Sequence, residues 1–261
     1  MALRVVIFLL GILPLAAEQN WRTTPVPNSP AVNQLRTDGN ACGPACLLDA
    51  LRSGSQKWRN SIAGIEGQND TAKIKKIIYR FARRGSRLDP KRPRWHARSG
   101  INAIDLADIA NELRSEKWMG TVKQEIFFRK NREAQPALLK RVHKELSSSL
   151  KKGLPPILHV RRVVWRTPAG TTTKAWLTVK RHYLVLTGLP AKLPRNAASF
   201  PVTYHDPWGG QKYQGTVQIT DEKSGGLPTL VATFPKSNIG KSLVRKNEPT
   251  CLSLSSAIGL F

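Results

Sequence analysis

Cys42, His182 and Asp206 are the side chains of this sequence best suited to act together. A thiol, an imidazole and a carboxylate are a nucleophile, its base and the group that orients the base. Cys42 stands in the stretch Asn40-Ala41-Cys42-Gly43-Pro44-Ala45-Cys46-Leu47-Leu48. Polar loop residues lead into the cysteine, and Gly-Pro opens an apolar run with helical spacing. Proline is favoured in a first helical turn, where its missing N–H costs little. The pattern therefore puts the Cys42 sulfur at the mouth of a helix, beside N–H groups that the helix leaves unbonded. Such a setting lowers a thiol pKa and favours the nucleophilic thiolate. A small residue in a turn gives the same local pattern, so the reading depends on partners.

Five histidines compete for the role of base. His96 falls in a basic loop. His143 lies in mid-helix among Arg and Lys and reads as solvated. His159 sits in the first β-rich run and reads as structural. His182 opens the apolar strand Tyr183-Leu184-Val185-Leu186-Thr187-Gly188, where the backbone is rigid and the ring can still reach a cleft. His205 precedes Asp206-Pro207-Trp208-Gly209-Gly210, a turn signature after another strand. His182 is the best base and Asp206 the best orienting acid. Taken singly, His182 is equally a polar strand end and Asp206 an ordinary turn initiator. No two histidines stand at helical ligand spacing, the cysteines are not clustered as at zinc sites, and neither Gly-rich phosphate-binding signature occurs. No metal and no cofactor is expected.

The elements around these residues divide by periodicity. Helices are expected from roughly Pro44 to Ser53, from an N-cap at Asp70 to Gly85, after Asn102 and from Pro136 to near Gly153. The third should turn Ile104, Leu106, Ile109 and Leu113 inward. Thr121–Arg129 reads as a short strand. After Pro155-Pro156 the runs Ile157–Trp165, Ala175–Val179, His182–Leu189, Val202–His205, Tyr213–Ile219 and Leu230–Phe234 are β-rich and bounded by turn residues. Helices first and strands second predict an α+β fold with a mainly antiparallel sheet, the site lying between the lobes. Arg83–Arg98, very basic and broken by prolines, reads as an exposed loop; a sharper reading makes it an anion-binding loop with Trp95 as a stacking surface.

Residues 1–17 read as a secretory signal: Arg4, an apolar run from Val5 to Leu13, Pro14, then small residues, with cleavage expected after Ala17. An uncleaved anchor is the alternative. Residues 18–31 read as an extended leader and 32–261 as the catalytic domain. The chain carries 42 Lys+Arg against 17 Asp+Glu, a net charge of +25. That balance implies attraction to anionic polymers or membrane surfaces. The basic residues are spread along the chain rather than gathered with aromatics, so specific nucleic-acid recognition is not expected. Three cysteines in an exported chain suggest one bridge and one free thiol. Cys42 and Cys46 are poorly placed to bridge within one helix. Cys46–Cys251 is the expected disulfide; the alternative is a buried Cys46 thiol.

The ordered set resembles the papain-like cysteine peptidase superfamily, nearest to exported relatives of the bacteriocin-leader-processing (double-glycine) peptidases. The resemblance is carried by Asn40–Leu48, Gly153-Leu-Pro-Pro-Ile-Leu-His-Val, His182–Gly188 and Tyr204-His-Asp206-Pro-Trp-Gly, with Gly100-Ile-Asn-Ala-Ile-Asp-Leu-Ala similar to that branch's following helix. It touches about residues 32–210. It implies Cys42 as nucleophile, His182 as general base and Asp206 as its orienter. It also implies a glutamine some six positions before the cysteine as oxyanion donor. Gln34 stands eight before Cys42, with Asn33 and Asn40 as competitors. The implied activity is hydrolysis of peptide bonds through a thioester, on a peptide or protein substrate. Acyl transfer or amide hydrolysis on cell-wall peptides would use the same triad. A non-catalytic basic protein adhering to anionic surfaces is the reading from another class.

Overall fold

A computed structural model describes residues 20–221 and 225–261. The expected signal, residues 1–17, lies outside the described residues. Among the described residues no helix is long and apolar enough to cross a membrane.

The chain is α+β. Helices α1 (Cys42–Ser53), α2 (Gln56–Ala63), α3 (Asp70–Ile77) and α4 (Ala103–Glu112) precede most of the strands, and α5 (Gln135–Lys151) comes just before the strand Ile157–Arg166 in the chain. Asn69, not Asp70, caps α3: its side chain accepts from the Ala72 N–H at 2.9 Å, and Asp70 is the first helical residue. A π-helical turn, Ile78–Ala82, continues α3 toward Gly85. Asn102 caps α4 as expected of a short polar residue there. Ile104 departs from the expected inner face of α4: it is half-buried and faces the cleft, while Asp105 is fully buried. Asp105 is tolerated because it accepts from the Arg87 N–H at 2.7 Å and from the Asn102 side chain.

The strands are β1 (Trp21–Thr23), β2 (Trp95–His96), β3 (Gly100–Ile101), β4 (Lys123–Ile126), β5 (Ile157–Arg166), β6 (Ala175–Pro190), β7 (Ser199–Asp206), β8 (Gln211–Gln218), β9 (Leu230–Thr233) and β10 (Thr250–Gly259). The two runs expected around Val179–His182 form the single long strand β6. The main sheet runs β1-β6-β5-β10-β9-β8-β7, with β4 added beside β10. Because β6 also pairs with β7, six strands close on themselves and leave few open edges. Every described pairing in it is antiparallel. The Trp21–Thr23 part of the leader is β1, hydrogen-bonded along Gly188–Pro190 of β6.

Two large apolar clusters hold these layers. One joins α1, α2, α3 and α4 to the faces of β5, β6 and β10 through residues such as Leu47, Leu51, Trp58, Ile77, Leu106, Tyr183 and Val185. The other fills the strand ring and takes in α5, through Leu139, Val142, Leu146, Leu184, Tyr204, Phe234 and Leu254. Helix α1 is central: ten of its twelve residues are buried. Helices apolar all round belong inside a protein, and α1 packs against β6 and three other helices.

The expected Cys46–Cys251 disulfide is not formed. Cys46 is buried in the helix–sheet cluster, whereas Cys251 lies opposite Val163 at the far end of β10, against a separate small cluster with Leu227 and Val231. The alternative reading of Cys46, a buried core thiol, describes its place. His143 is also not solvated. It is buried, and its Nε2 meets the Pro190 carbonyl at 2.8 Å.

Candidate active site

Helix α1 begins at Cys42 with no side-chain cap. Its first N–H groups are therefore open to another acceptor. The N–H groups of Gly43 and of Tyr183 in β6 act on the Cys42 sulfur and help to lower its pKa. Position 43 must be glycine for this packing, since a Cβ there would collide with the Ile101 side chain of β3. The loop before Cys42 is pinned as well. Asn40 bonds through its backbone N–H to the Ala97 carbonyl at 2.8 Å and through its side chain to the Arg98 carbonyl. Trp95 donates its indole N–H to the Asn40 carbonyl at 2.9 Å. Trp95 is thus a half-buried brace for the loop that leads into Cys42.

The three central residues meet. His182 Nε2 lies 2.8 Å from Asp206 Oδ1. A carboxylate only accepts, so Nε2 carries the hydrogen and Nδ1 is left for the thiol. His182 and Cys42 lie close enough that each shifts the other's pKa. Burial alone would raise the Cys42 pKa, but the bond to His182, its positive charge and the two backbone N–H groups outweigh burial and lower it. Burial alone would lower the His182 pKa, but the bonds to Asp206 and Cys42 raise it to about 9. Both shifts favour a thiolate beside an imidazolium. Cys46, one turn on, shows the contrast: burial and then the nearby charge of Cys42 push its thiol well up, and it stays protonated.

Asp206 closes β7 and is fixed by the turn after it. The Trp208 N–H donates to its Oδ1 at 2.9 Å. That turn also positions Gln34, whose N–H donates to the Pro207 carbonyl at 2.9 Å. Gln34 is buried and lines the same cavity as Cys42, His182 and Asp206. Its Oε1 is buried without a hydrogen bond among the described residues. The two residues by which its spacing is long are taken up in turns: Thr37 N–H returns to the Gln34 carbonyl at 2.8 Å, and Gly39, at φ +71°, packs against Ala97. Of the competing amides, Asn33 is not among the residues that line the cavity, its Oδ1 accepting from the Leu35 N–H, and the Asn40 side-chain N–H donates to the Arg98 carbonyl.

Two neighbours, Asp49 and Tyr183, were missed as site residues, and His159 reads from the sequence as structural. Asp49, buried in α1, accepts from the Val32 N–H, the Ser53 hydroxyl and His205 Nδ1 at 3.0–3.1 Å. It ties α1 to the strand that carries Asp206 and to the segment that carries Gln34. Its signal was a carboxylate two turns after Cys42, inside a leucine-rich helix. Tyr183 stacks on His159 at 4.8 Å and donates its hydroxyl to the Ile101 carbonyl at 3.0 Å. Burial, then the charges of Arg161 and Arg181, hold the His159 pKa down to about 3, so that ring is neutral.

The cavity above Cys42 encloses about 1320 Å³. One wall comes from Ser86–Ile104, the other from β5, β6 and the Lys236–Leu243 segment. The loop expected at Arg83–Arg98 is therefore a cleft wall. Many of its charges are met by acids: Arg84 and Arg94 by Glu112, Arg87 by Asp108 and Arg92 by Asp89. Among the described residues no group of acidic, histidine and cysteine side chains could hold a metal. In comparison with known proteins, no family model matches this chain and no curated protein matches it.

Proposed function

We propose that the protein is an exported cysteine peptidase of papain-like fold, hydrolysing peptide bonds through Cys42, His182 and Asp206. The observation that carries the reading is the continuous contact from the Cys42 thiol through His182 to Asp206, on one wall of a cleft large enough for a peptide. In the reaction the Cys42 thiolate adds to the scissile carbonyl carbon. The oxyanion so formed is received by the Cys42 N–H, open at the helix start, and by the Gln34 carboxamide. The His182 imidazolium gives its proton to the leaving amine, and a thioester remains. His182 then takes a proton from water, the hydroxide attacks the thioester, and the acid departs as the thiol is restored. Asp206 keeps the ring in the required tautomer throughout.

Thiol labelling tests the nucleophile. Iodoacetamide at near-neutral pH is expected to modify Cys42 ahead of Cys46 and Cys251, and His182→Ala to suppress that labelling. Cys42 reacting no faster than free cysteine would overturn the reading. A mixed peptide library, with Cys42→Ala as the blank, then reports cleavage directly.

A further inference from the structure

The charges that line the cleft are uneven. Seven lysines and arginines face two aspartates. Asp206 is held by His182 and Asp89 by Arg92, while Arg94 is paired with Glu112. None of the ion pairs between described residues involves Arg98, Arg161, Lys180, Arg181 or Lys236.

Two of these five oppose each other. Arg161 of β5 and Arg181 of β6 are direct cross-strand partners, next in the same-face row after His159 and Tyr183. Like charges placed opposite in a sheet destabilise it, so the fold does not gain from this pair. Arg161 is half-buried, its Nε has no hydrogen-bond partner among the described residues, and its guanidinium lies 5.7 Å over the Phe128 ring. Burial, then the charge of Arg181, lowers its pKa, as expected of a cation that lacks a counter-charge. Guanidinium groups in such a fork match a carboxylate.

We propose that Arg161 and Arg181 form a specificity site that binds a carboxylate of the substrate peptide. This rests on the peptidase reading and adds the substrate class: an acidic peptide. The strand sets the distance. Tyr183 lines the cleft with Cys42 and its N–H acts on the Cys42 sulfur; Arg181, in the same cleft, is two positions away, about 7 Å along an extended strand. An extended substrate rises by the same amount, so the bound carboxylate sits about two residues from the scissile bond. Lys180, Lys236 and Arg98 add a positive field along the cleft that favours acidic chains.

Binding to the Cys42→Ala protein tests this without any chemistry. The probes are fluorescein-labelled Ala/Gly decapeptides carrying one Glu at successive positions, each matched by its Gln counterpart, and a second pair ending in a free or an amidated C-terminus. The expected result is about ten-fold tighter binding of the carboxylate member of a pair, read by anisotropy. The Glu and C-terminal arms show which carboxylate the fork takes. Arg181→Gln and Arg161→Gln should each abolish the preference, whereas Lys140→Gln on α5, outside the cleft, should keep it. Arg181 is exposed, so its variant disturbs little packing. Equal binding within every pair overturns the proposal, as does a preference lost equally in Lys140→Gln. Labelling of Cys42 in the wild type is measured separately, so failure of the carboxylate site and failure of the nucleophile are told apart.

Discussion

Asp49 and His205 lie 156 positions apart and meet at 3.1 Å in the interior, on the side of α1 that faces β7. The contact fastens α1, which begins at Cys42, to the strand that ends in Asp206. Asp49 also accepts from the Val32 N–H and the Ser53 hydroxyl. Removing the carboxylate would leave three buried donors unmet. Asp49→Ala is expected to cost at least about 3 kcal/mol, since each unmet buried donor costs about 1–3 kcal/mol. Asp49→Asn keeps an acceptor and the volume and should cost less. Urea denaturation of the two variants checks the order; an Asp49→Ala protein as stable as wild type would remove Asp49 from the framework.

Much of this framework was legible in the sequence because local chemistry and tertiary role agree. Cys42 at a helix mouth and Asp206 before a Gly-Gly turn are local patterns, and both are where those patterns put them. His182 was read at the opening of a strand. It lies in the middle of β6, and its place at the cleft comes from pairing with β5. Strand β10 was missed although it lies between β5 and β9. Serines interrupt its apolar run, yet Ser253, Ser255 and Ser256 are buried and satisfied by Thr229, the His159 carbonyl and Gln124. His143 failed for the same reason: its basic neighbours suggested water, and only tertiary packing supplies the Pro190 carbonyl. The pairing of Arg161 with Arg181 depends on strand register, which no local pattern reveals.

Gln34 should matter to turnover but not to thiol reactivity. An oxyanion donor acts only when a carbonyl becomes tetrahedral, so its loss should lower kcat by about 10²–10³-fold, about 3 kcal/mol, with KM little changed. Alkylation by iodoacetamide forms no oxyanion and should proceed in Gln34→Ala at the wild-type rate. A matched fall in both rates would instead mean that Gln34 only supports the fold. Gln34→Glu should be as slow as Gln34→Ala, because a carboxylate repels the developing charge.

The thiols should count as three. Cys46 and Cys251 sit in different clusters and are not bridged. Intact mass after denaturing alkylation without reductant is expected to show three modifications. Under native conditions Cys42 should react first and Cys46 last, because Cys46 is buried with a raised pKa. A two-hydrogen mass deficit that reductant reverses would contradict this arrangement.

The pH dependence follows from the opposed shifts at the site. The proposed mechanism needs Cys42 deprotonated and His182 protonated. The lowered Cys42 pKa opens this state below the pH at which an ordinary thiol ionises, and the His182 pKa of about 9 ends it in the alkaline range. Peptide cleavage should therefore fall as pH rises through about 9, while alkylation of Cys42, which needs only the thiolate, should not fall there. Stability follows the same proton. The folded state raises the His182 pKa above that of the unfolded chain, so its contribution is complete below about 6.5 and is lost as pH rises through about 9. Thermal melts from pH 6 to 10 should show that loss in the wild type and a smaller one in His182→Ala. His159 acts at the other end: its pKa, held down to about 3, makes stability decline as pH falls below about 6.5 toward 3. A His159→Gln protein that melts with the wild type's acid slope would show that this ring does not carry the acid limb.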